Sequence, residues 1–557
     1  MRIQREASTG WPVGTGLLAL CLASIYQIFL ISQPLEFLIT SVYERDDAFY
    51  YLLIARNIAE HRVATFDGIH LSNGVQLLWN LMLVLVANFF ADPIHYMRAV
   101  LAVCLIFTFC AGLLLRRLGA SVVSPAFGDI LVFLFAGVMV ERWNTLQGME
   151  YSLHLTVILG TIIVSLRTIS LPNGTRMFIL GCLLTLNYWV RLDAVLFSIA
   201  IWTAVAWHNV SRETIGTAIK YTSLMTIVPA LGAIGYVALS YHWAETWLPL
   251  SGAVKSYYAG QFFGDTSFTE MLTVQIKMWV KINLHAFLGL VPQNILDLGL
   301  ARLPNPFSKP EDLILVTMPV ILTAFGILAI GLNTKLRARF GMWIKPLIFL
   351  LSICWIHAAI SVFALKDFSH VTRHYYGWYL IFWLLWGATL IMCFLGFVAA
   401  KAKTVLSTTL IAGYAVSYLF VATAFLSKPI DEWAYSIIRY DLAQELNDSL
   451  PKGAIVAAWN AGLLGYFLDR PVVNLDGLVN DAAFLEILKS GAPLAPYLKS
   501  ENVTHLIDHN ARDLTLNYRE NRDTDREYRN GVTWEDVQIF DKVGAIYVLE
   551  LVRGIGD

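Results

Sequence analysis

Glu44-Arg45-Asp46-Asp47-Ala48-Phe49-Tyr50-Tyr51-Leu52 sets two adjacent carboxylates where the first apolar run of the chain should leave a membrane. Carboxylates are expensive to desolvate at a bilayer boundary, so a pair facing an apolar protein marks a candidate functional site. A plainer alternative is a solvated turn whose Asp residues favour the start of a helix near Ala48. What surrounds the pair decides between the two.

Outward from this loop the chain is apolar. Hydrophobic residues make up 57% and charged residues 15% of its 557 positions, which excludes an ordinary soluble globule. A net charge of −1 supplies no electrostatic reason for a nucleic-acid partner. Cys21, Cys104, Cys110, Cys182, Cys354 and Cys393 lie in or beside apolar runs without Cys-x-x-Cys spacing, so they read as packing residues. Apolar runs long enough to cross a bilayer recur at 13–40, 77–92, 98–115, 122–140, 151–169, 177–191, 194–208, 221–241, 311–331, 344–364, 376–399 and 404–426. The shorter run 283–298 fits a re-entrant segment. The expectation is about 11 to 13 spans, with an uncleaved N-terminal anchor.

Basic clusters at Arg2/Arg5, Arg116-Arg117, Arg167/Arg176, Arg212/Lys220, Lys335/Arg337/Arg339 and Lys401/Lys403 mark the cytoplasmic side. They put the first loop, about 42–76, on the other face together with 141–150, 191–193, 242–282, 365–375 and everything after 427. If 77–92 and 98–115 both cross, however, Arg116-Arg117 falls on the wrong side. Either the first is a partial helix or the pair breaks the rule.

After Lys428-Pro429 the texture turns polar, so the chain divides into a membrane domain over 1–428 and a soluble domain over 429–557. Ile455 to Trp459, Pro471 to Leu475 and Thr504 to Asp508 read as strands and Ala461 to Leu468 as a helix. That alternation predicts a small C-terminal α/β domain on a polytopic all-α membrane domain.

The outer loops gather the polar residues: Asp46, Asp47, Asn73 and Gln76 in the first, Glu150 at the end of the second, then Arg191 with Asp193, Lys255, and His370-Val371-Thr372-Arg373-His374. Singly, each has an ordinary explanation. Arg191 and Asp193 could only neutralise each other, Lys255 could snorkel, and His370 and His374 at i, i+4 could hold a metal or serve an interfacial role. Their convergence on one face is the feature that needs a function.

Four regions resemble one family. Asp46-Asp47-Ala48-Phe49-Tyr50-Tyr51-Leu52-Leu53-Ile54-Ala55-Arg56-Asn57, followed by Ser72-Asn73-Gly74-Val75-Gln76-Leu77-Leu78-Trp79, resembles the first outer loop of GT-C superfamily glycosyltransferases. Gln147-Gly148-Met149-Glu150-Tyr151 is similar to their second outer loop, and Arg191-Leu192-Asp193 to a later turn. Trp459-Asn460-Ala461-Gly462 with Val473-Asn474-Leu475-Asp476-Gly477 resembles the outer C-terminal domain of a bacterial branch likened to arabinofuranosyl- and mannosyl-transferases. Two departures stand out: Val75-Gln76 where many relatives have Pro, and no Trp-Trp-Asp triad of oligosaccharyltransferases.

The resemblance implies a GT-C-like fold and inverting transfer of a sugar from a polyprenyl-phosphate donor to a glycan, lipid or protein acceptor. It implies the outer face of a bacterial inner membrane, with site and C-terminal domain toward the periplasm. Asp46 is then the expected base and Asp47 its auxiliary. Arg191, Lys255 and Arg373 are expected at the donor phosphate, with Asn73, Glu150, Asp193, His370 and His374 at substrate. No cofactor is required, although Asp47 and Glu150 offer hard oxygen ligands for a divalent cation such as Mg, Mn or Ca. A polyprenyl-lipid transporter or flippase and a non-catalytic envelope scaffold are the rival readings.

Overall fold

The computed structural model describes residues 11–43, 46–141, 145–262, 267–276, 328, 330, 334–360, 376–397, 400–427, 435–492, 494–508, 537–543 and 546–551. Helix α1 (Thr15–Ile31) is followed by α2 (Leu35–Phe37) and a π-helical turn, Leu38–Val42. The expected single span over 13–40 is thus broken. Leu35–Val42 bends 117° away from α1 at Pro34, which cannot donate a backbone N–H and bars its predecessor from helix.

Helix α3 (Asp46–His61) carries the acidic pair in its first turn, where the helix dipole favours negative charge, and buries Phe49, Tyr50, Tyr51, Leu52 and Ile54. Helix α4 (Leu77–Ala87) has 11 residues. At 1.5 Å per residue it reaches about 17 Å, well short of a hydrocarbon core of roughly 30 Å. The run 77–92 is therefore a partial helix. Asn88 turns its amide back onto Val84 O, and Asp92 caps the next helix by accepting from His95 N, with Pro93 in its first turn. The long α5 (Pro93–Val122) carries Arg116-Arg117 near its C-terminal end.

The bundle continues with α6 (Pro125–Glu141), α7 (Tyr151–Ser170), α8 (Gly174–Val190), α9 (Val195–Arg212), α10 (Ile215–Ala244), α11 (Leu250–Phe262), α12 (Thr334–Ala359), α13 (Tyr376–Phe397) and α14 (Ala400–Ser427). Among the described residues, four helical segments are long and apolar enough to cross a membrane, or five if the bent N-terminal pair counts as one span. Shorter apolar helices accompany them, including α4 and most of α6. Expected runs 283–298 and 311–331 lie outside the described residues, apart from Leu328 and Ile330.

Helix α15 (Tyr435–Ser449) leads into β1 (Val456–Ala458), α16 (Gly462–Phe467), β2 (Val472–Asn474), α17 (Ala482–Ser490), α18 (Leu494–Ser500), β3 (His505–Asp508), β4 (Val537–Val543) and β5 (Ile546–Leu551). The three expected strands form the parallel part of a five-stranded sheet ordered β2-β1-β3-β5-β4, and β5 and β4 add antiparallel. This α/β unit packs into the membrane domain's end. Val456, Leu464 and Tyr466 share one buried core with Phe49, Leu52 and Trp79.

Candidate active site

The first loop, α7, α8, α11 and the C-terminal domain meet around a cleft. Asp47, Gln76, Glu150, Arg191, Ser251 and Lys255 line it, with Tyr50, Tyr51 and Leu478 completing the wall. The two adjacent carboxylates point apart. Asp46 leaves the cleft: its Oδ2 accepts the Gly462 amide at 2.7 Å and its Oδ1 the Leu463 amide at 2.8 Å. Burial pushes its carboxyl up to about 6, against the pull of Arg439 and the two amides. Asp47 faces the cleft.

Opposite stand the cations. Arg191, at the C-terminal end of α8, is only 6% exposed and bound on two sides. Its Nε and Nη2 each lie 3.2 Å from an oxygen of Asp193, and Nη1 donates to Glu150 Oε1. On α12, His357 Nε2 lies 3.4 Å from Asp193 Oδ2, a contact with no counterpart in the sequence motifs. Lys255, half-buried on α11, forms no ion pair among the described residues. Of the two cations lining the cleft, it is the one left to meet an incoming anion.

Asn73 does not line the cleft. Its side chain is fully buried, donating to Ser240 Oγ at 2.6 Å and Thr246 Oγ1 at 2.9 Å while accepting from Leu250 N at 3.0 Å. It fastens the first loop to the turn before α11, with its Nδ2 donating and its Oδ1 accepting there. Gly74 beside it is required by close approach, because a Cβ there would sit 1.9 Å from Leu478 O. Gln76 performs the analogous join on the cleft side, accepting from Leu192 N at 3.3 Å. Arg373, His370 and His374 lie outside the described residues.

A Mg ion is commonly held by one or two carboxylates together with water and substrate phosphate, whereas Ca takes a fuller shell of oxygens. Here Asp47 and Glu150 line the cleft, and Glu150 is already bound by Arg191. Among the described residues no three His, Cys, Asp or Glu side chains are grouped to hold a metal.

Next to the cleft runs an apolar groove of about 380 Å³ between α8, α9 and α10, lined by Tyr188, Leu192, Ile199, Trp202, Ala233 and Leu248. Leu192 belongs to the groove and Arg191, the residue before it, to the cleft.

Fold and composition define a multi-pass helical membrane protein carrying an α/β domain at one end. Residues 430–548 match a family described as a domain of unknown function, DUF8728. Curated proteins give no match. Among solved structures the chain is similar to the Archaeoglobus fulgidus oligosaccharyltransferase in complex with Zn and sulfate, at 11% identity and a TM-score of 0.46, over 89% of this chain and 68% of that one. It is also similar to ArnT from Cupriavidus metallidurans bound to undecaprenyl phosphate, at 12% identity and a TM-score of 0.41, over 98% of this chain and 99% of that one.

Proposed function

We propose that this protein is a GT-C-type membrane glycosyltransferase that moves a sugar from a polyprenyl-phosphate donor to a hydroxyl of an envelope glycan, lipid or protein acceptor. One observation carries the proposal: Asp47 and Lys255, which forms no ion pair among the described residues, line one cleft, and an apolar groove between α8, α9 and α10 reaches Leu192, the residue after the cleft's Arg191. Those are the three things a lipid-phosphate sugar and its acceptor require. The tail needs an apolar seat, the phosphate a cation, and the attacking hydroxyl a base. The loop motifs quoted above support the same assignment.

In the proposed step, Asp47 takes the proton of the acceptor hydroxyl as its oxygen bonds to the anomeric carbon. The bond from that carbon to the phosphate oxygen breaks on the opposite face, and its electron pair leaves with the lipid phosphate. Lys255 stabilises the charge that gathers there. The products are an inverted glycoside, polyprenyl phosphate and a protonated Asp47. Asp47 takes the base role in place of Asp46, whose oxygens are both committed to backbone amides. The site faces the periplasm if the basic clusters set the orientation.

Purified protein in lipid, incubated with a panel of polyprenyl-phosphate sugars and an envelope acceptor extract, should release lipid phosphate from at least one donor. Asp47→Asn should slow that release at least about a hundredfold, the usual scale for a general base. Release from none of the donors, or full turnover by Asp47→Asn, would overturn the reading and return the transporter or scaffold to first place.

A further inference from the structure

The C-terminal domain touches three walls of the cleft: the α3 side, the first-loop side and the α11 side. On the α3 side it grips the residue next to Asp47. Gly462 packs so tightly that a Cβ would lie 2.3 Å from Asp46 O and 2.9 Å from its Cγ, while the Gly462 and Leu463 amides hold both carboxylate oxygens. Behind them Arg439 donates to Asn460 O and Trp459 O, fixing the turn that presents those amides. One turn further along α3, Tyr50 OH meets Asp476 Oδ2 at 3.3 Å and Asn474 Nδ2 at 3.1 Å. On the loop side, Gly74 lies against Leu478 O, and Leu478 itself lines the cleft. On the α11 side, Val254, fully buried beside Lys255, packs in one cluster with Leu485 of α17.

We infer that the C-terminal domain is the clamp that sets the cleft: it orients Asp47 through the positioning residue Asp46 and seats Lys255 through the Val254–Leu485 contact. This rests on the reading of Asp47 and Lys255 as the working groups. A domain merely attached at the end of the bundle would need neither a glycine at 462 nor a carboxylate turned away from the cleft. Asp46 and Asp47 are consecutive on one helix, so holding the first by two amides fixes the direction of the second. Catalysis is sensitive to such placement, since a displacement of about 1 Å can cost on the order of a hundredfold.

The experiment compares full-length wild type with Gly462→Ala, Asp46→Asn and Leu485→Ala, each purified in lipid. Gly462→Ala and Asp46→Asn should lower kcat by about tenfold or more with donor KM within about twofold, because they misdirect Asp47 alone. Leu485→Ala should instead raise donor KM by about fivefold with kcat less affected, because it loosens Lys255. A domain serving only stability would lower yield and melting temperature and leave both constants of the folded fraction unchanged. A second readout needs no turnover: in an Asp47→Cys background, the thiol's modification rate by a small cationic reagent, read on its own peptide by mass spectrometry, should change when Gly462→Ala is added. Unchanged kcat and KM in all three variants, together with an unchanged thiol rate, would overturn the clamp. If Asp47→Asn instead kept full turnover, the catalytic reading would fail, and the thiol rate would still decide the clamp.

Discussion

His70 is held between the two parts of the chain: its Nε2 lies 3.1 Å from Glu501 Oε2 in the C-terminal domain, and its Nδ1 2.7 Å from Asp67 Oδ2 in the first loop. Tyr497 OH stands 3.5 Å from the same Nε2. Burial alone would lower the imidazolium's pKa. The hydrogen bond that His70 Nδ1 donates to Asp67 and the charges of Asp67, Asp481 and Glu501 outweigh it and push the group up to about 9. The pairing stabilises the folded, docked state through the charged form. Its contribution is fully present below the unfolded value of about 6.5 and is lost as pH rises through about 9. The melting temperature of wild type should therefore exceed that of His70→Gln most at pH 6.5, with the gap closing above pH 9. A gap independent of pH would remove the charged clasp.

Asn73 predicts the opposite kind of variant, one that changes stability and spares chemistry. Asn73→Ala strips partners from Ser240, Thr246 and the Leu250 amide inside a closed joint. Each buried polar group left unpaired costs about 1–3 kcal/mol. Melting should fall clearly, while donor KM of the surviving enzyme stays near wild type. A raised KM with unchanged melting would put Asn73 at the substrate after all.

The contrast between Asp46 and Asp47 shows where sequence reasoning stops. The helical bundle was legible because apolar runs carry a physical rule that acts locally. The short α4 was visible as an inconsistency, because full crossings by both 77–92 and 98–115 would set Arg116-Arg117 against the rule for basic residues. The acidic pair was visible too, but which carboxylate faces the cleft depends on amides at Gly462 and Leu463, more than 400 residues away. No local pattern encodes that. The same holds for His70 with Glu501 and for His357 with Asp193. The Asp67-x-x-His70 spacing was the one signal that could have raised the first of them.

Lys255 should behave as an anion contact. Lys255→Gln keeps length and removes charge, so donor KM should rise by about tenfold, the scale of one charge-assisted hydrogen bond at about 1.5 kcal/mol. Lys255→Arg should retain most donor use. Inorganic phosphate or a short-chain polyprenyl phosphate should inhibit wild type better than Lys255→Gln. Equal inhibition of the two would take Lys255 out of the phosphate site.

Arg191 lines the same cleft but is committed differently, and its variants should reveal this. Its fork meets both oxygens of Asp193 and reaches Glu150, a planar arrangement that an ammonium cannot reproduce. Removing the guanidinium takes from Glu150 and Asp193 the cation they share, and leaves Glu150 buried with its charge uncompensated by Arg191. Breaking a buried pair in this way costs about 3–5 kcal/mol. Arg191→Lys should therefore lower both melting temperature and kcat, and Arg191→Ala should lower melting further. Arg212→Lys, at the far end of α9, should change neither. If Arg191 instead served chiefly as a phosphate ligand, Arg191→Lys would raise donor KM while leaving melting intact. A double-mutant cycle between Arg191→Lys and Asp193→Asn separates the two roles: strong coupling in melting temperature, with little coupling in KM, is the outcome that the fork geometry requires.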